Sequence, residues 1–198
     1  MTTTQASRLL PALFEHVDDE MPLKVLDLGP ALPETVAFFS GYRCKLHFAD
    51  LYPELPLRIE EDDMAEKSAG AEGLARRLDE ALALPGAASF DTVFFWDVLN
   101  FMSRDSIGVL VNKLRPHLNP GSRAHCFAVH NRRMEPPQWY HGIVDERNFS
   151  VRTRMSTPPD YQPRSQGELE SLLQCFRVDR SVLMQDKRIE VLLKFRNT

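Results

Sequence analysis

Short apolar runs of the kind that form buried strands alternate along this chain with stretches that have helical periodicity. The four runs are LKVLDLG at 23–29, Lys45 to Asp50, Thr92 to Trp96 and AHCFAVH at 124–130. Helical segments precede, separate and follow them. Alternation of this kind predicts a Rossmann-like α/β fold, in which a mostly parallel sheet carries helices on both faces.

The helices have patterns of their own. A leading amphipathic helix is indicated by apolar residues at helical spacing, namely Leu10, Leu13, Phe14 and Val17. Pro33 suits the first turn of a helix that follows the first strand. Residues 60–89 contain no Val, Ile, Thr or aromatic residue and are rich in strong helix formers. They predict a helix with at most a very short strand.

The second half of the chain gives further boundaries. Ser103 is a helix cap, and NPGS at 119–122 ends that helix before the next strand. Ser165 and Glu168 have capping-box spacing ahead of a last helix. Residues 176–196 predict an antiparallel strand pair that turns at Gln185 and Asp186.

Residues 131–164 interrupt this order. The segment has five prolines, which predict an irregular insertion with at most one strand around 149–155. The chain of 198 residues is 43% hydrophobic, so we expect one domain that spans residues 1–198 and includes this insertion.

Composition excludes several classes of protein. No apolar run approaches the length of a membrane span, and the N-terminus lacks the apolar core of a secretory signal. The three cysteines have no C-x-x-C spacing, which favours the cytoplasm and argues against a metal site. The net charge of -4 makes nucleic acid an unexpected partner. Seven arginines between 123 and 164 are weak support for an anionic substrate, and the acidic run at 60–66 suits a solvated helix start.

Three aspartates stand where predicted strands end. Asp27 closes the first strand just before Gly29, Asp50 closes the second 21 residues after that glycine, and Asp97 follows the central strand. Because the carboxyl ends of parallel strands meet at one edge, these carboxylates should lie together at the edge where such sheets bind ligands. The spacing of Asp50 suits hydrogen bonds from the two hydroxyls of a ribose.

The turn after the first strand restricts which nucleoside could bind. A dinucleotide pyrophosphate needs further glycines, whereas Gly29 is followed by Pro30, Ala31, Leu32 and Pro33. Glu34, in the first helical turn, would repel phosphate. The acidic edge would instead favour a compact ligand with positive charge.

The chain resembles the class I S-adenosylmethionine-dependent methyltransferases from Lys24 to Arg196. The resemblance rests on KVLDLG, HFADL and FDTVFFWDVLNFM with LRPHLNPGS, and on the ending GELESLLQCFRVDRSVLMQDKRIEVLLKF. It implies S-adenosylmethionine as the cofactor, with ribose on Asp50 and adenine near Leu51. The turn residues Asp27, Gly29, Pro30 and Ala31 would contact the cofactor, and Trp96 and Asp97 would face its methionine end or the substrate.

The sequence also departs from that family. Its glycine-rich turn is reduced to Gly29, and its third strand is short or absent here. The acidic residue that usually ends the third strand has its nearest candidates in Asp79 and Glu80, inside a predicted helix. No Asn-Pro-Pro-Tyr motif follows the fourth family strand.

No catalytic group is assigned from the sequence. His130 with Arg132 and Arg133 could act as a base and an anion clamp, and residues 139–141 could close over a substrate or simply pack on the domain. The sequence favours a methyltransferase for an unidentified small molecule or protein. A non-catalytic interaction or regulatory module of the same fold is the alternative, and a nicotinamide-dependent oxidoreductase is a weaker one. The oligomeric state is not predicted.

Overall fold

The computed structural model describes residues 2–15, 21–59, 67–86 and 88–196. Its main feature is a six-stranded sheet in the order β3-β2-β4-β5-β9-β8. The first four strands are parallel, and β9 and β8 form an antiparallel pair at one side. The strands are β2 (Leu23–Asp27), β3 (Cys44–Phe48), β4 (Phe90–Trp96), β5 (Leu118–Val129), β8 (Phe176–Leu183) and β9 (Arg188–Phe195).

Helices cover both faces of this sheet. Side chains of β4 alternate between the two faces, so that Val93 and Phe95 join one core while Phe94 and Trp96 join the other. The third and fourth helices pack on the first face, and the first two helices pack on the second. The helices are α1 (Leu10–Phe14), α2 (Pro33–Phe39), α3 (Lys67–Leu82), α4 (Arg104–Leu114) and α5 (Gln166–Leu172).

These elements confirm the predicted α/β fold with its C-terminal antiparallel pair. Between β3 and β4 the described residues contain α3 and no strand, as the strong helix formers there predict. The predicted caps form as well, since the hydroxyl oxygens of Ser103 and Ser165 accept the N–H groups of Ser106 and Glu168. Val17 and the acidic run at 60–66 lie outside the described residues.

Two boundaries differ from the prediction. The strand β5 begins at Leu118, so NPGS belongs to the strand and does not separate it from the preceding helix. The N-terminal segment begins with a strand, β1 (Thr2–Ala6), before the short helix α1. This strand was not predicted because TTTQA has no apolar alternation.

The insertion is more regular than predicted. It contains two strands, β6 (Trp139–Asp145) and β7 (Asn148–Thr153), where the prediction allowed one. They pair antiparallel with each other and with β1, in the order β1-β7-β6. This second sheet packs on α2, with a very close approach at Gly142. It therefore lies over the turn that follows β2.

None of the described helices is both long enough and apolar enough to cross a membrane.

Candidate functional site

The three predicted aspartates lie at one edge of the main sheet. Asp27 is the last residue of β2, Asp97 follows β4 directly, and Asp50 comes two residues after β3. Asp27 and Asp97 are buried, whereas Asp50 is partly exposed. Burial raises the pKa of Asp27 to about 7, although hydrogen bonds from Gly29 and Trp96 lower it. The negative charge of Asp50 contributes to the rise. Asp27 and Asp50 are thus close enough to interact.

Trp96 covers the glycine of the first turn. Its indole Nε1 donates to Asp27 Oδ1 at 2.6 Å, and the Gly29 N–H donates to the same oxygen at 2.8 Å. A Cβ atom on Gly29 would stand only 3.1 Å from Trp96 Cδ1 and 3.3 Å from Nε1. The indole therefore lies directly against the turn that the sequence predicts to hold a cofactor.

The surrounding aromatic rings hold this indole in place. It stacks on Phe94, with ring centroids 4.9 Å apart, and on His141 at 5.8 Å, while Phe149 meets it edge-on. Only 1% of Trp96 is exposed. Its backbone φ of 51° lies in the left-handed region, which is strained for a bulky residue. Because the backbone bends at Trp96, the side chains of Trp96 and Asp97 lie in different surroundings.

Asp97 is bound by side chains from two other parts of the chain. Arg154, which follows β7, donates from Nη2 to Asp97 Oδ1 at 2.7 Å, and the Tyr52 hydroxyl donates to the same oxygen. The guanidinium of Arg154 also lies 4.1 Å from the Tyr52 ring centroid and 4.9 Å from that of Tyr140. Asp97 Oδ2 is buried without a hydrogen-bond partner among the described residues.

The first turn of α2 is bound to the second sheet. Arg152 of β7 donates from Nε and Nη2 to the two oxygens of Glu34, at 2.8 and 2.7 Å. Hydrogen bonds from Arg152 lower the pKa of Glu34 to about 2. The Thr35 hydroxyl accepts the N–H of Ile143 in β6 at 3.0 Å. Glu34, which was expected to repel phosphate, therefore has its charge paired.

The remaining predicted contact residues differ in exposure. Ala31 is exposed and Pro30 is partly exposed, whereas Leu51 is fully buried. Asp50 accepts the Tyr52 N–H on Oδ1 at 3.1 Å and keeps part of its carboxylate surface open. Ligand access at this edge is thus greater at Asp50 than at Gly29.

The residues suggested for catalysis are not brought together at this edge. His130, Arg132 and Arg133 are exposed, and Arg132 pairs with Glu168 at 2.6 Å. His141 is buried beneath Trp96, and its pKa is lowered well below the usual value by burial and by the nearby Arg188. A buried neutral imidazole of this kind packs in the core and does not face a substrate.

A cavity of about 280 Å³ opens beside Asp97, beyond the ends of β4 and β5. The insertion forms one of its walls, and its rings and prolines make the cavity mostly apolar. Sequence reasoning named Asp97 and Trp139 but missed Tyr161 and Arg188, since neither carries a local motif. The lining includes Asp97, Asn100, Phe127, Met134, Pro137, Trp139, Tyr161 and Arg188.

The arginines of the basic segment are largely used inside the protein. Arg154 pairs with Asp97, Arg152 with Glu34, and Arg164 donates to the backbone oxygens of Leu99 and Met102. Their charge is therefore not free to attract an anionic substrate. Among the described residues, no cluster of three or more His, Cys, Asp or Glu could hold a metal ion.

Comparison with known proteins gives a fold. No protein-family model matches the sequence, and no curated protein is similar to it. A similar crystal structure is the 1,6-didemethyltoxoflavin-N1-methyltransferase of Burkholderia thailandensis, solved with 1,6-didemethyltoxoflavin and S-adenosylhomocysteine bound. That match has 19% identity and a TM-score of 0.55, and covers 96% of this chain and 78% of the other.

Two further solved structures have a similar fold. The PH0226 protein from Pyrococcus horikoshii OT3 matches with 14% identity and a TM-score of 0.52, over 95% of this chain and 88% of that one. The mitomycin 7-O-methyltransferase MmcR also matches with 14% identity and a TM-score of 0.52, over 94% of this chain. This chain spans about half of MmcR, 52% of its length. These likenesses confirm the expected class I methyltransferase fold, and at such identity they show the fold alone.

Proposed function

We propose that this chain, which has the fold of the S-adenosylmethionine-dependent methyltransferases, binds S-adenosylmethionine at the edge formed by Asp27, Asp50 and Asp97 and methylates an unidentified acceptor. The observation that carries the proposal is the position of these three carboxylates at the carboxyl ends of neighbouring strands. The three free cysteines support a reducing compartment such as the cytoplasm.

The nucleoside half of the cofactor suits the residues present. Asp50 is partly exposed, so its carboxylate can accept hydrogen bonds from ribose hydroxyls. Pro30 and Ala31 leave the outer side of the turn accessible. Burial is the main cause of the raised pKa of Asp27, and the charge of Asp50 adds to it, so a cationic ligand beside these carboxylates would favour their ionised forms.

The methionine half does not fit the conformation of this structure. It would have to approach the inner side of Gly29, where the Trp96 indole lies in contact with the turn. Bound S-adenosylmethionine would supply an activated methyl group, and the Trp96 indole would have to move away from Gly29 before the methionine half could bind.

The cavity beside Asp97 is the proposed place for the acceptor. Its volume of about 280 Å³ and its apolar walls are close to those of small-molecule sites in proteins. This supports a small organic molecule as acceptor over a folded protein. Asp97 borders both the cavity and the aspartate edge, so a ligand in the cavity would lie next to the proposed cofactor site.

Calorimetric titration with S-adenosylmethionine, S-adenosylhomocysteine and NAD tests the proposed function. We expect saturable binding of one or both S-adenosyl ligands, no binding of NAD, and loss of binding in Asp50→Ala. Glu72→Ala is the matched control, because it removes one carboxylate from an exposed site on α3. Equal binding by wild type and Asp50→Ala would contradict the proposed position of the ribose.

A non-catalytic module of the same fold is the second candidate. The specific observations in its favour are the Trp96 indole against Gly29 and the Glu34–Arg152 pair, which binds the second sheet over the turn. For such a protein we expect no heat of binding with S-adenosylmethionine at millimolar concentration. The same titration therefore separates the two candidates.

A further inference from the structure

We propose that Trp96 determines ligand specificity at the aspartate edge. Its indole occupies the space that the amino-acid half of S-adenosylmethionine needs, so S-adenosylmethionine binds only when the indole is displaced, and an adenine nucleoside without that half binds more tightly. A small residue at position 96 would reverse the preference. This inference rests on the proposed function, since it assumes that the edge binds an adenine nucleoside.

Trp96 lies in direct contact with the turn after β2. Trp96 Cδ1 and Nε1 lie so close to Gly29 that even a single added carbon on the glycine would meet them at 3.1 and 3.3 Å. A ligand chain placed along the inner side of Gly29 would meet the same atoms. The indole and the amino-acid half of the ligand thus exclude each other.

Asp27 is the buried carboxylate that would attract the positive groups of S-adenosylmethionine, and Trp96 already supplies it with a donor at 2.6 Å. The indole N–H is neutral, so it satisfies the hydrogen bond without supplying charge. Burial keeps the pKa of Asp27 raised although this hydrogen bond lowers it.

The indole of Trp96 has little room to move. Phe94 and His141 stack with it, and Phe149 closes another side. Beyond Asp97, the neighbouring space is filled by Tyr52 and Arg154. Displacement of the indole would break this packing, whereas a nucleoside bound at Asp50 leaves it intact.

The test compares two ligands on two proteins by calorimetry. The ligands are S-adenosylmethionine and 5′-methylthioadenosine, which keeps the nucleoside and lacks the amino-acid group. We expect the wild type to favour 5′-methylthioadenosine. In Trp96→Ser we expect the affinity for S-adenosylmethionine, relative to 5′-methylthioadenosine, to rise by about tenfold or more.

Two control variants separate the effect of the space that the Trp96 ring occupies from the effect of a general loss of stability. Trp96→Phe keeps a ring over Gly29 and loses the N–H, so it should keep the wild-type preference. Phe39→Ala removes an aromatic ring that packs on Phe94 in the same core, so it lowers stability without removing a ring from around Trp96, and it should also keep that preference.

Failure of the inference and failure of the proposed function give different results. If wild type and Trp96→Ser show the same ratio of affinities for the two ligands, the inference is wrong and the proposed function stands. If neither ligand binds any of the proteins, the proposed function is wrong and the inference falls with it.

A second measurement remains decisive if Trp96→Ser does not fold. The chain has two tryptophans, so Trp139→Phe leaves Trp96 as the single fluorophore. We expect its emission to be that of a buried indole and to stay unchanged with 5′-methylthioadenosine. Any binding of S-adenosylmethionine should shift the emission to the red, because the indole must leave Gly29. Binding without a shift would overturn the inference.

Discussion

Arg154 Nη2 lies 2.7 Å from Asp97 Oδ1, and this buried ion pair joins the insertion to the end of the central strand β4. Both side chains are almost completely removed from solvent. The pair therefore links the second sheet to the edge where we place the ligand.

Loss of Arg154 should destabilise the protein strongly. Arg154→Met leaves Asp97 buried without its cation, which typically costs about 3 to 5 kcal/mol. Urea unfolding followed by circular dichroism measures the effect. Arg132→Met is the matched control, since Arg132 pairs with Glu168 at the exposed surface, where such a pair contributes about 0 to 1 kcal/mol. Equal losses in the two variants would contradict the structural role of the buried pair.

Removing the charge of Asp97 together with that of Arg154 should recover part of the lost stability. The double variant Asp97→Asn with Arg154→Met removes both charges and should unfold at a higher urea concentration than Arg154→Met alone. A double variant as unstable as the sum of the two single variants would show that the residues are not coupled.

Asp27→Asn should change how stability depends on pH. Asp27 has a folded-state pKa of about 7 against an ordinary value of 3.8, so the folded protein binds more protons than the unfolded chain between these values. Its contribution to the free energy of unfolding therefore falls as pH rises through that window. Asparagine can still accept from Gly29 and Trp96 without the buried charge.

We therefore expect Asp27→Asn to be more stable than wild type at pH 8, by about 1 to 3 kcal/mol, with a smaller difference at pH 5. Urea unfolding at both pH values measures this. Asp105→Asn, which removes a charge from an exposed site, should show no such pH-dependent gain. The same stability difference at both pH values for Asp27→Asn would contradict the assignment.

Glu34→Gln should have the opposite pH dependence. The pKa of Glu34 is lowered from 4.5 to about 2 by Arg152, so the pair stabilises the folded state above pH 4.5 and loses that effect as pH falls towards 2. In thermal unfolding, wild type should have a higher midpoint temperature than Glu34→Gln at pH 7. This gap in midpoint temperature should close as pH falls towards 2. A gap that widens under acid would be inconsistent with this pair.

Gly142→Ala should weaken the packing between the second sheet and α2. The added Cβ would stand 2.6 Å from Thr35 Oγ1 and 2.7 Å from Ser150 Oγ, so these side chains or the elements that carry them must shift. We expect a loss of about 1 to 3 kcal/mol in urea unfolding. Gly73→Ala is the control, because among the described residues nothing lies within 4 Å of its added Cβ. That helical substitution should be neutral or stabilising by about 0.5 to 1 kcal/mol. Similar losses for both would show that Gly142 is not a close contact.

Much of the fold follows from local patterns in the sequence. The apolar run Thr92 to Trp96 predicts a central strand, and the helix formers after residue 67 predict α3, because both patterns act over a few residues. The second sheet could not be predicted in this way. The strand β1 is polar and pairs with β7 nearly 150 residues later, so only long-range pairing makes it a strand.

The candidate site likewise has features that the sequence predicts and features that it does not. The sequence by itself determined that Asp27, Asp50 and Asp97 follow strands of one parallel sheet, and hence that they share an edge. Only the tertiary structure decided that Trp96 lies over Gly29 and that Arg154 reaches the buried Asp97. Nothing in the sequence distinguishes Arg154 from the exposed Arg132 and Arg133. The physical reason is that strand ends are set by local periodicity, whereas the direction and partner of a side chain depend on packing between distant segments.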